Sequence, residues 1–323
     1  MRKLENKGIL ITGGAGFVGS CLARQLADSD NRVGLLVLEQ EDLWRVNDIL
    51  SSLSILKADL RDYSAVSRQV REFAPDVVFH LATYGGMSGQ NNDNRIVETN
   101  ILAAANLLLA LRETDYNAFV NVGSSSEYGL MDKPMAETDR PQPVSSYGRS
   151  KLAATHLCES YASAYGMPNV TLRLFSPYGP YEDARRLVPS VILSCLKGID
   201  PALGSAESVR DFVFVMDAVD ALLEAAIQID KLKGRIINIG SGIQRSVGEV
   251  ADMIIELVGN DVRPIWGAVK PSQPEPKAWL ADIGLVAELM GWQPRYDLRS
   301  GLSKTVEWFR ANSGRFDAYR GDV

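Results

Sequence analysis

Tyr147 and Lys151 stand four residues apart in Tyr147-Gly148-Arg149-Ser150-Lys151, one above the other on a single face if the segment is helical. A free tyrosine ionises near pH 10 (about 10 in model peptides), so a phenol alone is a poor base at neutral pH. An ammonium beside it, joined by any other cation in reach, favours phenolate and makes a usable proton acceptor. The same spacing also suits an exposed helical pair, so its weight depends on what accompanies it. A hydroxyl cluster, Gly123-Ser124-Ser125-Ser126-Glu127-Tyr128-Gly129, follows the apolar run Phe119 to Val122. A hydroxyl there can hydrogen-bond an oxygen whose proton moves to Tyr147.

The third element is Thr12-Gly13-Gly14-Ala15-Gly16-Phe17-Val18-Gly19, between the apolar run Ile9 to Ile11 and a helical stretch. Gly13 and Gly16 permit a tight turn and close backbone approach, and Gly19 lets the helix pack on the strand. The helix N-terminus then offers unpaired N–H groups and a favourable dipole to a pyrophosphate, as in dinucleotide sites. Glu39, after Val37-Leu38, is placed to accept from ribose hydroxyls and repel a 2′-phosphate, which favours NAD over NADP. A rival reading stays open, in which Glu39 is solvated and Arg45 or Arg61 reaches a 2′-phosphate. Asp59 and Leu60 either flank an adenine or lie on plain surface. His80, closing another apolar run, reads as structural.

These groups need strands that end on one edge. Short apolar runs alternate with helical patterns over the first 175 residues, which argues for strand–helix–strand units and a Rossmann-like, doubly wound parallel sheet. The expected strands are 9–11, 33–38, 54–57, 77–80, 119–122 and 170–174, near-continuously apolar because helices cover both faces. The expected helices are 16–27, 64–73, 97–112 and 146–164. Ligands bind at the carboxyl ends of such strands. After Ser176 prolines become denser and the signals shorter. We read residues 1–175 as a dinucleotide-binding domain and 176–323 as a smaller α/β substrate-binding domain, the chain crossing between them. Strands are expected there at 212–215 and 236–239, and a closing helix at 302–311.

Composition removes other classes. The chain has 323 residues, 34 basic and 40 acidic, for a net charge of −6, with 46% hydrophobic and 23% charged residues. No basic excess invites a nucleic-acid backbone. Three scattered cysteines (Cys21, Cys158, Cys195) and two histidines (His80, His156) suit neither a disulfide framework nor a metal centre. The longest apolar run, Ile101 to Leu111, is broken by Asn106 and is shorter than the roughly 20 residues that span a bilayer. Met1 to Glu5 leads straight into the first strand without a signal-peptide core. The expectation is a soluble cytoplasmic protein without metal, membrane or nucleic-acid partner.

In these motifs and their order the chain resembles the extended short-chain dehydrogenase/reductase family, in its NAD-dependent nucleotide-sugar epimerase/dehydratase branch. The resemblance runs over nearly the whole length: TGGAGFVG at 12–19, DVVFHLA at 76–82, SSSEYG at 124–129, YGRSK at 147–151, RLFSPYGP at 173–180, VRDFVFVMDAVDA at 209–221, INIGSG at 237–242 and MGWQPR at 290–295. It implies Tyr147 as the acid/base, Lys151 as its partner and Ser124 as the assisting hydroxyl. It implies Gly13, Gly16, Phe17, Val18, Gly19, Glu39, Asp59, Leu60, Leu81 and Ala82 along the cofactor. Ser125, Ser176 and Arg210 then face a nucleotide-diphosphate sugar, Arg210 gripping the diphosphate with a guanidinium suited to phosphate oxygens. On its own, Arg210 beside Asp211 reads as a surface ion pair.

The departures narrow the reaction. Relatives that eliminate water carry an acidic pair right after the assisting hydroxyl; here those positions are Ser125 and Ser126, and Glu127 comes one residue late. Cys158 lies about 16 Å along the helix from Tyr147 and reads as core, and His156 faces the other way. The position after Leu174-Phe175, often asparagine in relatives, is Ser176. The glycine-rich loop Tyr84-Gly85-Gly86-Met87-Ser88-Gly89 reads either as a pocket wall or as a lid. The leading expectation is a nucleotide-sugar 4-epimerase acting by transient oxidation at sugar C4. A reductase of nucleotide 4-keto-6-deoxy sugars is the alternative, and a non-catalytic NAD-binding regulator the third. Relatives pair through the Tyr/Lys helix and the one before it, which implies a homodimer through a four-helix bundle. Residues 97–112 are apolar around much of their circumference, as such burial requires.

Overall fold

The computed structural model describes residues 4–87, 89–270 and 276–317. Met1, Arg2 and Lys3 at the start, Ser88 of the glycine-rich loop, and Pro271 and Pro274 of the proline-dense stretch lie outside the described residues.

The strands are β1 (Gly8–Thr12), β2 (Arg32–Val37), β3 (Leu53–Lys57), β4 (Val77–His80), β5 (Ala118–Ser124), β6 (Asn169–Leu174), β7 (Pro177–Tyr178), β8 (Val209–Asp211), β9 (Val213–Phe214), β10 (Ile236–Ile239) and β11 (Gln244–Ser246). Seven of them form one sheet in the order β10-β6-β5-β4-β1-β2-β3, every pair parallel. The order reverses between β1 and β4, so a crevice opens at the carboxyl ends of those two strands. β8 pairs antiparallel with β11, and β7 pairs with β9.

The helices are α1 (Phe17–Ala27), α2 (Tyr63–Phe73), α3 (Asp93–Val97), α4 (Ala103–Arg112), α5 (Ser146–Tyr165), α6 (Leu187–Lys197), α7 (Val215–Ile227), α8 (Ile229–Leu232), α9 (Val247–Val258), α10 (Gly284–Met290) and α11 (Leu298–Ala311). Alternation within β1 shows how the layers divide: Ile9 and Ile11 join the core with α1, α6, α7 and α9, whereas Leu10 joins the core with α2 and α4. Both faces are covered, as continuous apolar strands require. Short polar side chains fix several helix starts: Asp62 accepts from Ser64 and Ala65 on α2, Ser145 from Gly148 on α5, and Asp297 from Ser300 on α11.

Three expectations need correction. Residues 212–215 are not one strand: β9 covers two of them and Val215 already begins α7, whose buried Val215, Ala218, Val219, Leu222 and Ala225 recur with helical period. The expected helix 97–112 begins at Asp93 beneath an Asn92 cap and is interrupted by a π-helical turn at Glu98–Leu102. The closing helix starts at Leu298, four residues early, because Asp297 caps it. The strand expected at 236–239 is present and lies in the main sheet beside β6.

Candidate active site

β1 delivers the glycine turn. Gly13 has φ +70°, and a Cβ there would lie 2.6 Å from the Ala82 nitrogen; a Cβ on Gly19 would lie 2.2 Å from the Gly13 carbonyl oxygen. Only glycine fits either place. The Gly16 amide closes the turn on the Gly13 carbonyl at 3.0 Å, and no side chain caps α1. The first amides of α1, at Phe17 and Val18, therefore face a cradle suited to a pyrophosphate. Leu81 and Ala82, just past β4, form its wall, their amides bonded to the Thr12 carbonyl and hydroxyl.

Glu39 sits two residues beyond β2, 74% exposed and paired with Lys57 at 2.6 Å. Asp59 is paired with Arg61 at 2.7 Å, and the Leu60 carbonyl accepts from Asn106 at 2.9 Å. The rival reading with a 2′-phosphate loses its guanidiniums. Arg45 donates to the Tyr181 carbonyl at 2.8 Å, and Arg61 is shared between Asp59 and Glu98.

β5 delivers the serine loop. Ser124 caps the short turn Ser125–Glu127: its hydroxyl accepts from the Ser126 amide at 3.1 Å, and its own amide donates to Glu127 Oε1 at 2.8 Å. α5 packs on β5, β6 and this turn, so closely that a Cβ on Gly148 would lie 2.4 Å from the Ser126 carbonyl oxygen. That contact brings Tyr147 to the loop, where the Ser124 and Thr83 hydroxyls both act on its phenol. The glycine-rich loop closes the other side: a Cβ on Gly86 would sit 3.7 Å from the Tyr147 hydroxyl, and Arg186 donates to the Gly86 carbonyl at 2.5 Å.

Burial raises the Tyr147 phenol above its ordinary range, opposed by the nearby Ser124 hydroxyl and the Arg186 charge. Lys151 is buried one turn on, and burial lowers it while Glu127 holds it up. His80 donates or accepts at Thr12 Oγ1 across 2.7 Å; burial, with Lys151 adding, pushes it down to about 3, so the ring stays neutral.

Arg210 and Asp211 do not pair with each other. Asp211 is fully buried and accepts from the Ser241, Gly242 and Ala281 amides, whereas Arg210 lies over the Trp279 ring at 5.1 Å. The Trp279 indole N–H in turn donates to Ser125 Oγ at 3.1 Å, linking Arg210 to the serine loop. Ser176, between β6 and β7, is half-buried and its carbonyl accepts from Val213 at 3.3 Å. Cys158 is 1% exposed in the core; His156 is exposed and bonded to Glu159. Among the described residues no group of three acidic, histidine or cysteine side chains could hold a metal, and no helix is long and apolar enough to cross a membrane.

Sequence reasoning missed Thr83, Asn100, Arg186 and Trp279. Asn100, 1% exposed in the π-helical turn, had a signal: an amide inside an otherwise apolar helix face. Arg186 and Trp279 come from segments whose path the sequence left undetermined.

Residues 9–240 match the model of the NAD dependent epimerase/dehydratase family. A dTDP-glucose 4,6-dehydratase of Salmonella typhimurium is 29% identical, over 94% of this chain and 93% of its own length. A UDP-glucose 4-epimerase structure from Thermotoga maritima, with UDP-glucose, superposes with a TM-score of 0.87 at 29% identity, over 94% of this chain and 99% of that one. A UDP-glucuronic acid 4-epimerase from Bacillus cereus, in complex with UDP-glucuronic acid and NAD, gives a TM-score of 0.84 at 26% identity over 94% of this chain and 99% of that one. The chain belongs to the NAD dependent epimerase/dehydratase family.

Proposed function

We propose that this enzyme is a nucleotide-sugar 4-epimerase. NAD is its cofactor, and the Gly13–Gly19 cradle, which any side chain at Gly13 or Gly19 would fill, fits the dinucleotide's pyrophosphate. When bound, NAD supplies a reversible hydride acceptor. Tyr147 takes the proton of the C4 hydroxyl and later returns it, Ser124 holds the same oxygen, and Lys151 keeps the phenol's surroundings positive. The 4-keto sugar turns over between the two steps, presenting its other face. Arg210 holds the diphosphate, with Ser125 and Ser176 toward the sugar. We assign residues 1–175 to the cofactor and 176–323 chiefly to the nucleotide sugar.

One observation carries the choice over dehydration: the two positions after Ser124 are Ser125 and Ser126, so the serine loop supplies no acidic pair. Ser125 bonds to Trp279, and Glu127 turns beneath the loop to Arg173 at 2.8 Å. Elimination needs an additional acid and base there. The two 4-epimerases among the proteins compared support the reading, and the dehydratase relative is the reason to test it. The similar proteins, named as 4-epimerases and a 4,6-dehydratase, do not favour a 4-keto reductase. Membership of an enzyme family also leaves the regulator reading without support.

The proposal includes a homodimer through α5 and the helical segment before it, supported by exposed Val97 at the end of α3, Leu102 in the π-helical turn and Tyr165 at the end of α5, which are 52%, 44% and 57% accessible. A cytoplasmic setting suits its three free, buried cysteines. The test is to identify the released cofactor, then incubate the protein with UDP-, dTDP-, GDP- and CDP-sugars and follow the sugar by NMR. C4-inverted product with unchanged nicotinamide absorbance supports the epimerase; a 4-keto-6-deoxy product overturns it.

A further inference from the structure

Beneath the serine loop lies a charge pair that the reaction above does not use. Glu127 is fully buried and Arg173 is 1% exposed, their Oε2 and Nε atoms 2.8 Å apart. The strand register explains how they meet: Arg173 on β6 stands beside Gly123 on β5, two residues before the turn that carries Glu127. Glu127 spends its other oxygen on the Ser124 amide. The Arg173 guanidinium lies under the Tyr128 ring at 4.5 Å, and Tyr128 is held by Asn238 at 2.8 Å. Arg173 Nη1 is buried with no hydrogen-bond partner. A dry pair of this kind adds little stability over apolar residues of the same shape, so its placement directly under Ser124 calls for another account.

We propose that Glu127 and Arg173 are positioning residues: Glu127 fixes Ser124 through its backbone amide and, with its charge held in place by Arg173, sets how readily Tyr147 releases its proton. This rests on the reading of Tyr147 as the acid/base. The surrounding charges are few. Tyr147 is faced by the Ser124 and Thr83 hydroxyls, by Arg186 at the start of α6, and by Glu127. Lys151 is faced by Glu127, Cys158 and His80. Arg173 is faced by Glu127 and Tyr128, with Glu137 beyond. Among the described residues Glu127 acts on both Tyr147 and Lys151: it opposes the phenolate and supports the ammonium. Its removal therefore moves both groups the same way, toward loss of the proton at lower pH.

The test is Glu127→Gln, which keeps an oxygen for the Ser124 amide and removes the charge. Tyrosines labelled with carbon-13 at Cζ report ionisation by NMR, and the Tyr147 signal is identified by its loss in Tyr147→Phe. Titration of Tyr147 is expected about half a pH unit or more below wild type, the scale of a like charge removed nearby. The charge-free pair Glu127→Gln with Arg173→Met guards against misfolding from an unpaired arginine; it is expected to shift the same way, by less. Tyr147 titrating with wild type in whichever of these variants folds overturns the proposal. The signal follows the phenol without any substrate, so a failed sugar screen would sink the 4-epimerase and leave this result standing.

Discussion

Asn100 Nδ2 donates to Ser150 Oγ at 2.8 Å, and through that bond the loop after β4 is tied to the helix that carries Tyr147 and Lys151. The same amide bonds the Tyr84 carbonyl and amide, each at 2.8 Å, and accepts from the Thr83 hydroxyl at 3.2 Å. Ser150 passes the link on to the Tyr147 carbonyl at 2.8 Å. The π-helical turn at Glu98–Leu102 is the local irregularity that aims Asn100 at both partners, and such turns recur at functional sites. Asn100→Leu takes the partner from the half-buried Tyr84 amide and carbonyl, at up to about 1–3 kcal/mol for each. A lower melting temperature and faster hydrogen exchange across Thr83 to Met87 are the expected results. Asn100→Asp, which keeps the acceptor and loses the donor, should fall between that variant and wild type.

Tyr147→Phe removes the proposed proton carrier and leaves the ring that packs against Gly85 and Gly86. Turnover should fall by roughly 10²–10⁴-fold, the usual worth of a positioned acid/base. The amount of NAD recovered with the protein should not change, because the pyrophosphate cradle lies on β1 and α1. Ser124→Ala should cost less in turnover, with cofactor content again unchanged. Loss of NAD in parallel with activity would mean that the phenol serves the fold of the site and not its proton.

Much of this arrangement was legible in the sequence, and what was not has a physical reason. The glycine turn, the serine loop and the Tyr/Lys helix are each local: strand, turn and helix follow one another within about twenty residues, so periodicity and turn chemistry suffice. Arg186 and Trp279 reach the site from segments far along the chain, and no local pattern says where the chain brings them. The strand expected at 212–215 failed because a four-residue apolar run fits a strand or the first turn of a helix equally well, and only the continuation to Ile227 decides. Glu127 shows the same limit. Its offset from the serines signalled that it pointed away from the sugar, but its partner on β6 is set by strand register, which the sequence does not display.

His80 should make the protein acid-sensitive. Its ring is held down at about 3 in the fold, against 6.5 as an ordinary histidine. Between those values the unfolded chain binds a proton that the native chain refuses, so stability rises with pH across the window and is lost as pH falls through it. The slope is about 1.4 kcal/mol per pH unit. His80→Asn removes that slope. Urea unfolding of wild type and variant at pH 4 to 7 should show the wild type losing ground relative to the variant as the pH drops. Parallel curves would place the proton elsewhere.

Glu182 should act in the opposite direction. It is 6% exposed, its Oε2 is buried without a hydrogen-bond partner, and burial raises it from 4.5 to about 8 despite the nearby Arg186 charge. Native Glu182 therefore keeps a proton that the unfolded chain has released, and the native state binds more protons between pH 4.5 and 8. Stability from this group is present below that window and lost as pH rises through it, again by about 1.4 kcal/mol per unit. From 4.5 to 6.5 it opposes His80, and above 6.5 the Glu182 loss continues without that opposition. Glu182→Gln keeps the shape and removes the titration. Its stability relative to wild type should climb steadily from pH 6.5 to 8 in urea unfolding. A difference that stays constant over that range would show that Glu182 is ionised in the native protein, its charge met by Arg186.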